Sequence, residues 1–405
     1  MFNRIASDLR QNIDSLLISL LCCVPMMSFI LNFDNIIPII LVILLSFTII
    51  YKRFLINISI LNDRILIAYI VIFSSFLLLN IILHGLDSHS IKRISYFGVY
   101  GVLPISMLYI LYQKKAELNL YKIFQYINCI YAIISLFVFG INFWRYSPQE
   151  RMSISYYILP VFLSLFFEFL LDENKNLKYK LIKYLIYFII FIPYLNFAIG
   201  LMSRGAILSI VICMYLTFLS LQSKKRKIRI LLISLIAAVI IVCFGLYILE
   251  FISNLLSSFG ISFSFIDKNL TLLQENSIGN GRDIIYHNVI SGISNHPVIG
   301  NGIGEFERVF TTYPHNFILQ SWYEGGFVYM CILVIPNFYS IVRIIFNNDI
   351  SNKKKYFFIF IFSLSIVRLL LSFEYWKDLF FWIYLFMSLL LIQEDLKHYI
   401  EKRGK

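Results

Sequence analysis

The chain has 405 residues, of which 59% are hydrophobic and only 14% charged, against roughly 25% charged in an average soluble domain. Its mean hydropathy is +0.78, too apolar for a water-soluble fold. The formal net charge of +12 does not point to nucleic acid, because most of it lies in short segments between long apolar runs, where a positive-inside bias puts it.

Those runs are each about as long as a bilayer span requires, roughly 17–25 residues. Short alternating segments are absent, which argues against an outer-membrane barrel. A helix satisfies its own backbone in lipid, so the expectation is an all-α, polytopic bundle. In chain order about twelve spans are expected by hydropathy: 16–31, 36–51, 65–83, 96–112, 123–141, 154–171, 181–198, 205–221, 230–251, 316–346, 356–373 and 379–393. The first run has no small-residue cleavage site and is followed at once by another, so it reads as a membrane helix rather than a signal peptide. The tenth is long enough to be tilted, broken or preceded by an interfacial turn. Residues 1–252 thus carry spans one to nine, 253–314 a long external loop, and 315–405 spans ten to twelve with a tail.

Positive charge alternates with the spans. Arg4 and Arg10 precede the first, and every second connection is rich in lysine: Lys52 with Arg53, Lys114 and Lys115, Lys175 to Lys183, Lys224 to Arg229, Lys353 to Lys355, and the tail from Lys397. An even number of spans with both termini cytoplasmic satisfies this pattern. The long loop 253–314 then lies outside. Within it, residues 282–294 place Ile285, Val289 and Ile293 four apart, the pattern of an amphipathic helix. Such a helix either lies on the membrane surface or packs on top of the bundle.

The external positive charges are mostly arginine: Arg93, Arg145, Arg151, Arg204, Arg282 and Arg308. They oppose the insertion bias, and a planar guanidinium fork binds phosphate in a way lysine does not. The set points to an anionic ligand at the outer surface, a lipid pyrophosphate being the natural candidate; solvated loop charges are the plain alternative for each one. Arg204 sits in Gly200-Leu201-Met202-Ser203-Arg204-Gly205, a tight connection where Gly205 leaves the backbone room and a helix N-terminus offers free N–H groups to an anion. Arg368 falls inside a span, where a charge is costly and by default functional; a structural pair with Glu374 is the alternative. In Tyr313-Pro314-His315-Asn316, His315 stands at an external helix start, able to donate to phosphate or move a proton. Glu324, one to two turns on, is a carboxylate partner or a buried structural group. Gly300-x-Gly302-x-Gly304 lacks the βαβ context of a nucleotide loop and reads as a sharp turn. No DxD, HExxH or P-loop occurs, so neither a metal nor a cofactor is expected. The six cysteines all lie in apolar runs and read as packing residues.

Taken in order, Ser203-Arg204-Gly205, Gly281-Arg282, His296-Pro297-Val298-Ile299-Gly300-Asn301-Gly302-Ile303-Gly304, Pro314-His315-Asn316 and Glu324-Gly325-Gly326 resemble the O-antigen ligase and polymerase superfamily. The resemblance covers about residues 200–334 in motif terms. It implies a helical fold of the C-type glycosyltransferase kind in the bacterial inner membrane. It also implies an undecaprenyl-pyrophosphate-linked oligosaccharide as donor, membrane lipids as surroundings, and a flippase and a chain-length regulator as partners. Arg204, Arg282 and His315 match the family's donor-engaging positions; Arg151, Arg308, Arg368 and Glu324 are expected to bind substrate. The implied reaction is metal-independent, inverting polymerisation of repeat units into O-antigen or capsular polysaccharide. The alternatives are a ligase that moves the glycan onto lipid A core and, more distantly, a flippase for the same lipid.

Overall fold

In the computed structural model the described residues are 15–22, 40, 44, 63–113, 204–258 and 282–403, with isolated positions between 124 and 185. Among them the chain is all-helical, without strands. The spans expected at 16–31, 36–51, 123–141 and 181–198 lie largely outside these residues and that at 154–171 in part, while Arg145 and Arg151 lie outside them.

Helix α1 is Arg64–His84. Helix α2, Ser88–Tyr96, runs through a π-helical turn, Phe97–Val102, into α3, Leu103–Gln113. Then come α4, Arg204–Ser220; α5, Lys224–Ser258; α6, Arg282–Asn295; α7, Glu305–Phe310; and α8, Phe317–Phe346. Finally α9 is Asn352–Leu364, α10 is Ile366–Leu371 and α11 is Leu379–Arg403, with a 3-10 turn at Tyr375–Lys377 before the last. Among the described residues four segments are long and apolar enough to cross a membrane: Arg64–His84, Ser88–Gln113, Phe317–Phe346 and Leu379–Lys402. The helices at 64–84, 204–220, 317–346 and from 379 start within a residue of expectation.

The fourth span differs. Helix begins at Ser88, well before position 96, because Asp87 caps it: its carboxylate accepts from Ser90 N at 2.7 Å and Ser90 Oγ accepts from Asp87 N at 2.9 Å, a reciprocal capping box. Arg93 is therefore inside a helix and 2% exposed, not in an external loop. The eleventh span is two pieces, α9 and α10, broken at Ser365.

Helix α11 is the hub, packed against α1, α3, α8 and α9. Trp382 on it is 1% exposed and meets Phe97, Trp376 and Phe381. By contrast α1 and α5 expose Ile72, Leu78, Ile82, Ile233, Leu235 and Phe244, the all-round apolar character of a helix facing lipid. At one end of the bundle, Asp63 accepts from Tyr109 Oη at 2.6 Å and pairs with Lys397 Nζ at 3.2 Å, Arg343 forks onto Asp395 at 2.8 Å, and Lys354 meets Glu394 at 2.7 Å. This is the lysine-rich end. The opposite end holds Arg93, Arg282, Arg308 and His315.

Candidate functional site

Helix α8 is broken at Gly326, where φ is 75° and ψ −177°, a conformation open essentially to glycine alone. The break frees the carbonyls of Tyr323 and Glu324, and the glycine loop fills the gap. Asn301 N donates to Tyr323 O at 2.7 Å, Gly302 N to Glu324 O at 3.1 Å, and Phe327 N to Pro297 O at 2.9 Å. Asn80 completes the joint, donating to Glu324 O at 3.2 Å and accepting from Ile303 N at 3.0 Å. The loop is thus the sharp turn its sequence suggests, with Gly300, Gly302 and Gly304 all at positive φ, and its role is to dock onto the broken helix.

Helix α6 packs on the bundle: Val289 is fully buried and Ile293 7% exposed, against Phe306 and Tyr323, while Ile284 and Ile290 stay exposed. The packed alternative therefore holds for the inner face of the expected amphipathic helix.

Packing this way brings the N-terminus of α6 to the end of α10. There Arg282 Nη1 donates to Leu371 O. The N-cap of α8 arrives at the same strand of chain: Asn316 Oδ1 accepts from Ile318 N at 3.0 Å and Leu319 N at 3.2 Å, while Asn316 Nδ2 donates to Leu370 O at 3.2 Å. Phe373 N donates to Tyr313 Oη at 3.3 Å. Helix α4 starts here too. A Cβ on Gly205 would lie 1.9 Å from Tyr156 Oη and 3.6 Å from Leu371 Cδ1, so only glycine next to Arg204 permits this approach. Arg204 is the first residue of α4. The capped N-terminus of α8, carrying about half a positive charge, thus meets the first described residues of α4 and α6 at Leu370–Phe373.

Two cations and a histidine share that corner. The Arg368 guanidinium lies 3.8 Å from the Phe373 ring centroid and 4.6 Å from that of Tyr156, which holds the fork without spending its hydrogen bonds; its Nε makes none. The expected pair with Glu374 is not what forms: Glu374 is taken by Arg93 and Lys377, each at 2.8 Å. The carboxylate that acts on Arg368 is Asp378, whose Oδ1 caps α11 by accepting from Phe381 N at 3.0 Å. His315 stacks on Tyr313 with centroids 4.1 Å apart, and its Nδ1 makes no hydrogen bond. Burial, together with the nearby Arg282 charge, pulls its pKa down to about 4, so the ring is neutral at pH 7. His315 and Phe373 both stand at positive φ, 57° and 78°. Non-glycine residues adopt that region at a cost of roughly 1–3 kcal/mol, typically where function requires it.

The other candidates lie elsewhere. Arg308 is 56% exposed and forks onto Glu305 at 2.7 and 2.5 Å, with Asp87 at 4.0 Å. Arg93 is enclosed by Glu307, by Glu374, and by Glu324 at 3.7 Å. Glu324 itself is 2% exposed and accepts from Gln320 Nε2 at 3.0 Å, Tyr375 Oη at 2.6 Å and Trp376 Nε1 at 2.8 Å, the structural alternative of the two open to it. Among the described residues no cluster of ligating side chains suits a metal ion. Phe373 and the carbonyls of Leu370 and Leu371 are parts that sequence reasoning missed. They act through backbone groups and aromatic faces brought together over about 60 residues of separation, and no local pattern announces them.

The described residues therefore define a helical membrane protein with a cationic, helix-capped corner at one end. Residues 188–334 match the O-antigen ligase family model, which supports the O-antigen ligase and polymerase superfamily. The matched stretch contains Arg204, Arg282, His315, Arg308 and Glu324; Arg151 and Arg368 lie outside it. No curated protein and no solved structure matches the chain.

Proposed function

We propose that the chain polymerises undecaprenyl-pyrophosphate-linked oligosaccharide repeat units at the outer face of the bacterial inner membrane, as a metal-independent, inverting glycosyltransferase. The observation that carries this reading is the gathering of Arg282, Arg368, His315 and the capped N-terminus of α8 around Leu370–Phe373. That corner collects positive charge, with Asp378 the carboxylate acting on Arg368 among the described residues, an arrangement that suits a pyrophosphate. With both termini cytoplasmic, it faces outward.

In the proposed reaction the acceptor hydroxyl oxygen attacks the anomeric carbon from the face opposite the pyrophosphate. The C–O bond to the pyrophosphate breaks, its electron pair stays on the leaving pyrophosphate, and the hydroxyl proton passes to that pyrophosphate or to solvent. Arg282, Arg368 and Arg204 stabilise that charge as it grows. Neutral His315 hydrogen-bonds the leaving group or holds the acceptor hydroxyl. A pyrophosphate beside it offsets Arg282 and raises the histidine pKa toward the range for proton transfer. Arg151, in the segment before residue 154, is proposed to extend the donor site. Arg308, forked onto Glu305, is left out of it.

The family described by the matching model is a ligase family, and that favours one second reading: transfer of the finished glycan onto lipid A core. A gel ladder of surface polysaccharide from a strain lacking the gene separates the two. Core bearing a single repeat unit means polymerisation is lost and ligation persists, as proposed. Complete absence of repeats on the core, with long chains accumulating on the carrier lipid, means a ligase.

A further inference from the structure

Glu324 combines two sets of contacts that no local sequence pattern connects. Its backbone carbonyl accepts from Gly302 N and Asn80 Nδ2 and so holds the glycine loop. Its carboxylate reaches the other way, to Tyr375 Oη and Trp376 Nε1. These two residues form the 3-10 turn immediately after Leu370–Phe373, and both are fully buried. The neighbour on the near side of that turn, Glu374, is clasped by Arg93 and Lys377, and the residue on the far side, Asp378, caps α11. The turn is therefore fixed at every position, and Leu370–Phe373 hangs directly from it.

We infer that Glu324 is a positioning residue: it latches the Tyr375–Trp376 turn and thereby sets where Arg282, Arg368 and His315 stand relative to one another. The inference rests on reading that corner as the donor site. Glu324 does not touch the corner; its carboxylate is spent on Gln320, Tyr375 and Trp376, leaving nothing to receive a substrate proton. The latch is a matter of accepting hydrogen bonds rather than of charge. Gln320 Oε1 is buried and makes no hydrogen bond, so a turned-over Gln320 amide accepts from the NH2 of a glutamine at 324 while that glutamine's oxygen still accepts from Tyr375 and Trp376. Arg93 keeps Glu307 and Glu374 as counter-charges.

The test uses the full chain in lipid nanodiscs with a synthetic undecaprenyl-pyrophosphate-linked oligosaccharide, following release of the pyrophosphate lipid. Glu324→Leu takes the acceptor away from three buried donors, Gln320 Nε2, Tyr375 Oη and Trp376 Nε1; turnover is expected to fall about 100-fold, the scale of a misplacement near 1 Å, with the donor KM little changed. Glu324→Gln is expected to retain activity within about threefold, because a flipped amide restores every hydrogen bond. The double substitution Tyr375→Phe with Trp376→Phe releases the same latch from its other side and serves where Glu324→Leu does not insert. A second readout needs no donor: the titration of His315 followed by histidine-selective NMR. Its pKa near 4 depends partly on Arg282, so Glu324→Leu raises it and Glu324→Gln does not. Glutamine at 324 as inactive as Arg282→Ala overturns the inference and makes Glu324 a chemical participant. Leucine at 324 matching the wild type in both readouts overturns it as well. A wild-type protein that releases no pyrophosphate lipid refutes the functional reading instead, and the NMR titration then decides the latch alone.

Discussion

The joint between the glycine loop and the broken helix α8 yields the sharpest test of the fold. At Gly326 an added Cβ would sit 1.9 Å from Val298 O and 2.2 Å from its carbonyl carbon. These are backbone atoms and cannot swing aside. Gly326→Ala therefore carries a conformational cost of roughly 1–3 kcal/mol for a side chain at this φ and ψ. It must also push the loop off, losing the bonds at Asn301, Gly302 and Phe327, worth about 1 kcal/mol each. The expected local destabilisation is about 4–6 kcal/mol. In hydrogen exchange of the protein in nanodiscs this appears as amides of Asn301 and Gly302 exchanging at least about 100-fold faster, with a lower melting temperature. Gly98→Ala is the control, since nothing lies within 4 Å of its added Cβ and its φ is ordinary. It is expected to stay within about 1 kcal/mol of wild type. Exchange at Asn301 and Gly302 unchanged by Gly326→Ala, or equal in the two variants, refutes the docking of loop onto break.

Three further outcomes are expected. Arg282→Lys keeps the charge and loses the fork, so pyrophosphate release should fall at least about tenfold, while Arg343→Ala, at the opposite end of the bundle in a pair with Asp395, should change release little and stability by no more than about 1 kcal/mol. His315 has a folded pKa depressed to about 4, so the folded state binds fewer protons than the unfolded one between that value and about 6.5. The histidine's contribution to stability is thus fully present above about pH 6.5 and declines as pH falls toward 4, by about 1–2 kcal/mol once solvent screening of this part-exposed ring is discounted. A His315→Gln variant should lose that component of the acid decline, measured by melting temperature against pH. Arg282→Ala should raise the His315 pKa in the NMR titration, because it deletes the charge that helps depress it.

Much of this architecture was legible in the chain. Helices in lipid carry their hydropathy openly, so Arg64–His84, Arg204–Ser220, Phe317–Phe346 and the start of α11 fell where the apolar runs lie. The corner was legible in part, as Arg282 and His315 were singled out by residue type and by their place at helix starts. Two things were not legible. Arg93 looked like an external anion-binding arginine because its helix extends past the apolar run, through a capping box that hydropathy does not register. Its three carboxylate partners come from 214 to 281 positions away, a separation no window detects. Likewise the pairing of Arg368 with Glu374 was plausible by spacing, but the positive φ of Phe373 puts the Phe373 ring over Arg368, and Glu374 goes to Arg93 and Lys377.

The measurement closest to the central claim is release of undecaprenyl pyrophosphate from a lipid-linked oligosaccharide by the purified chain, in nanodiscs, in the presence of a chelator. The expected result is release accompanied by products longer than one repeat unit, abolished by Arg282→Ala and strongly reduced by His315→Ala. Release that survives Arg282→Ala, or no release from any lipid-pyrophosphate donor, would contradict the assignment of this corner as a pyrophosphate site.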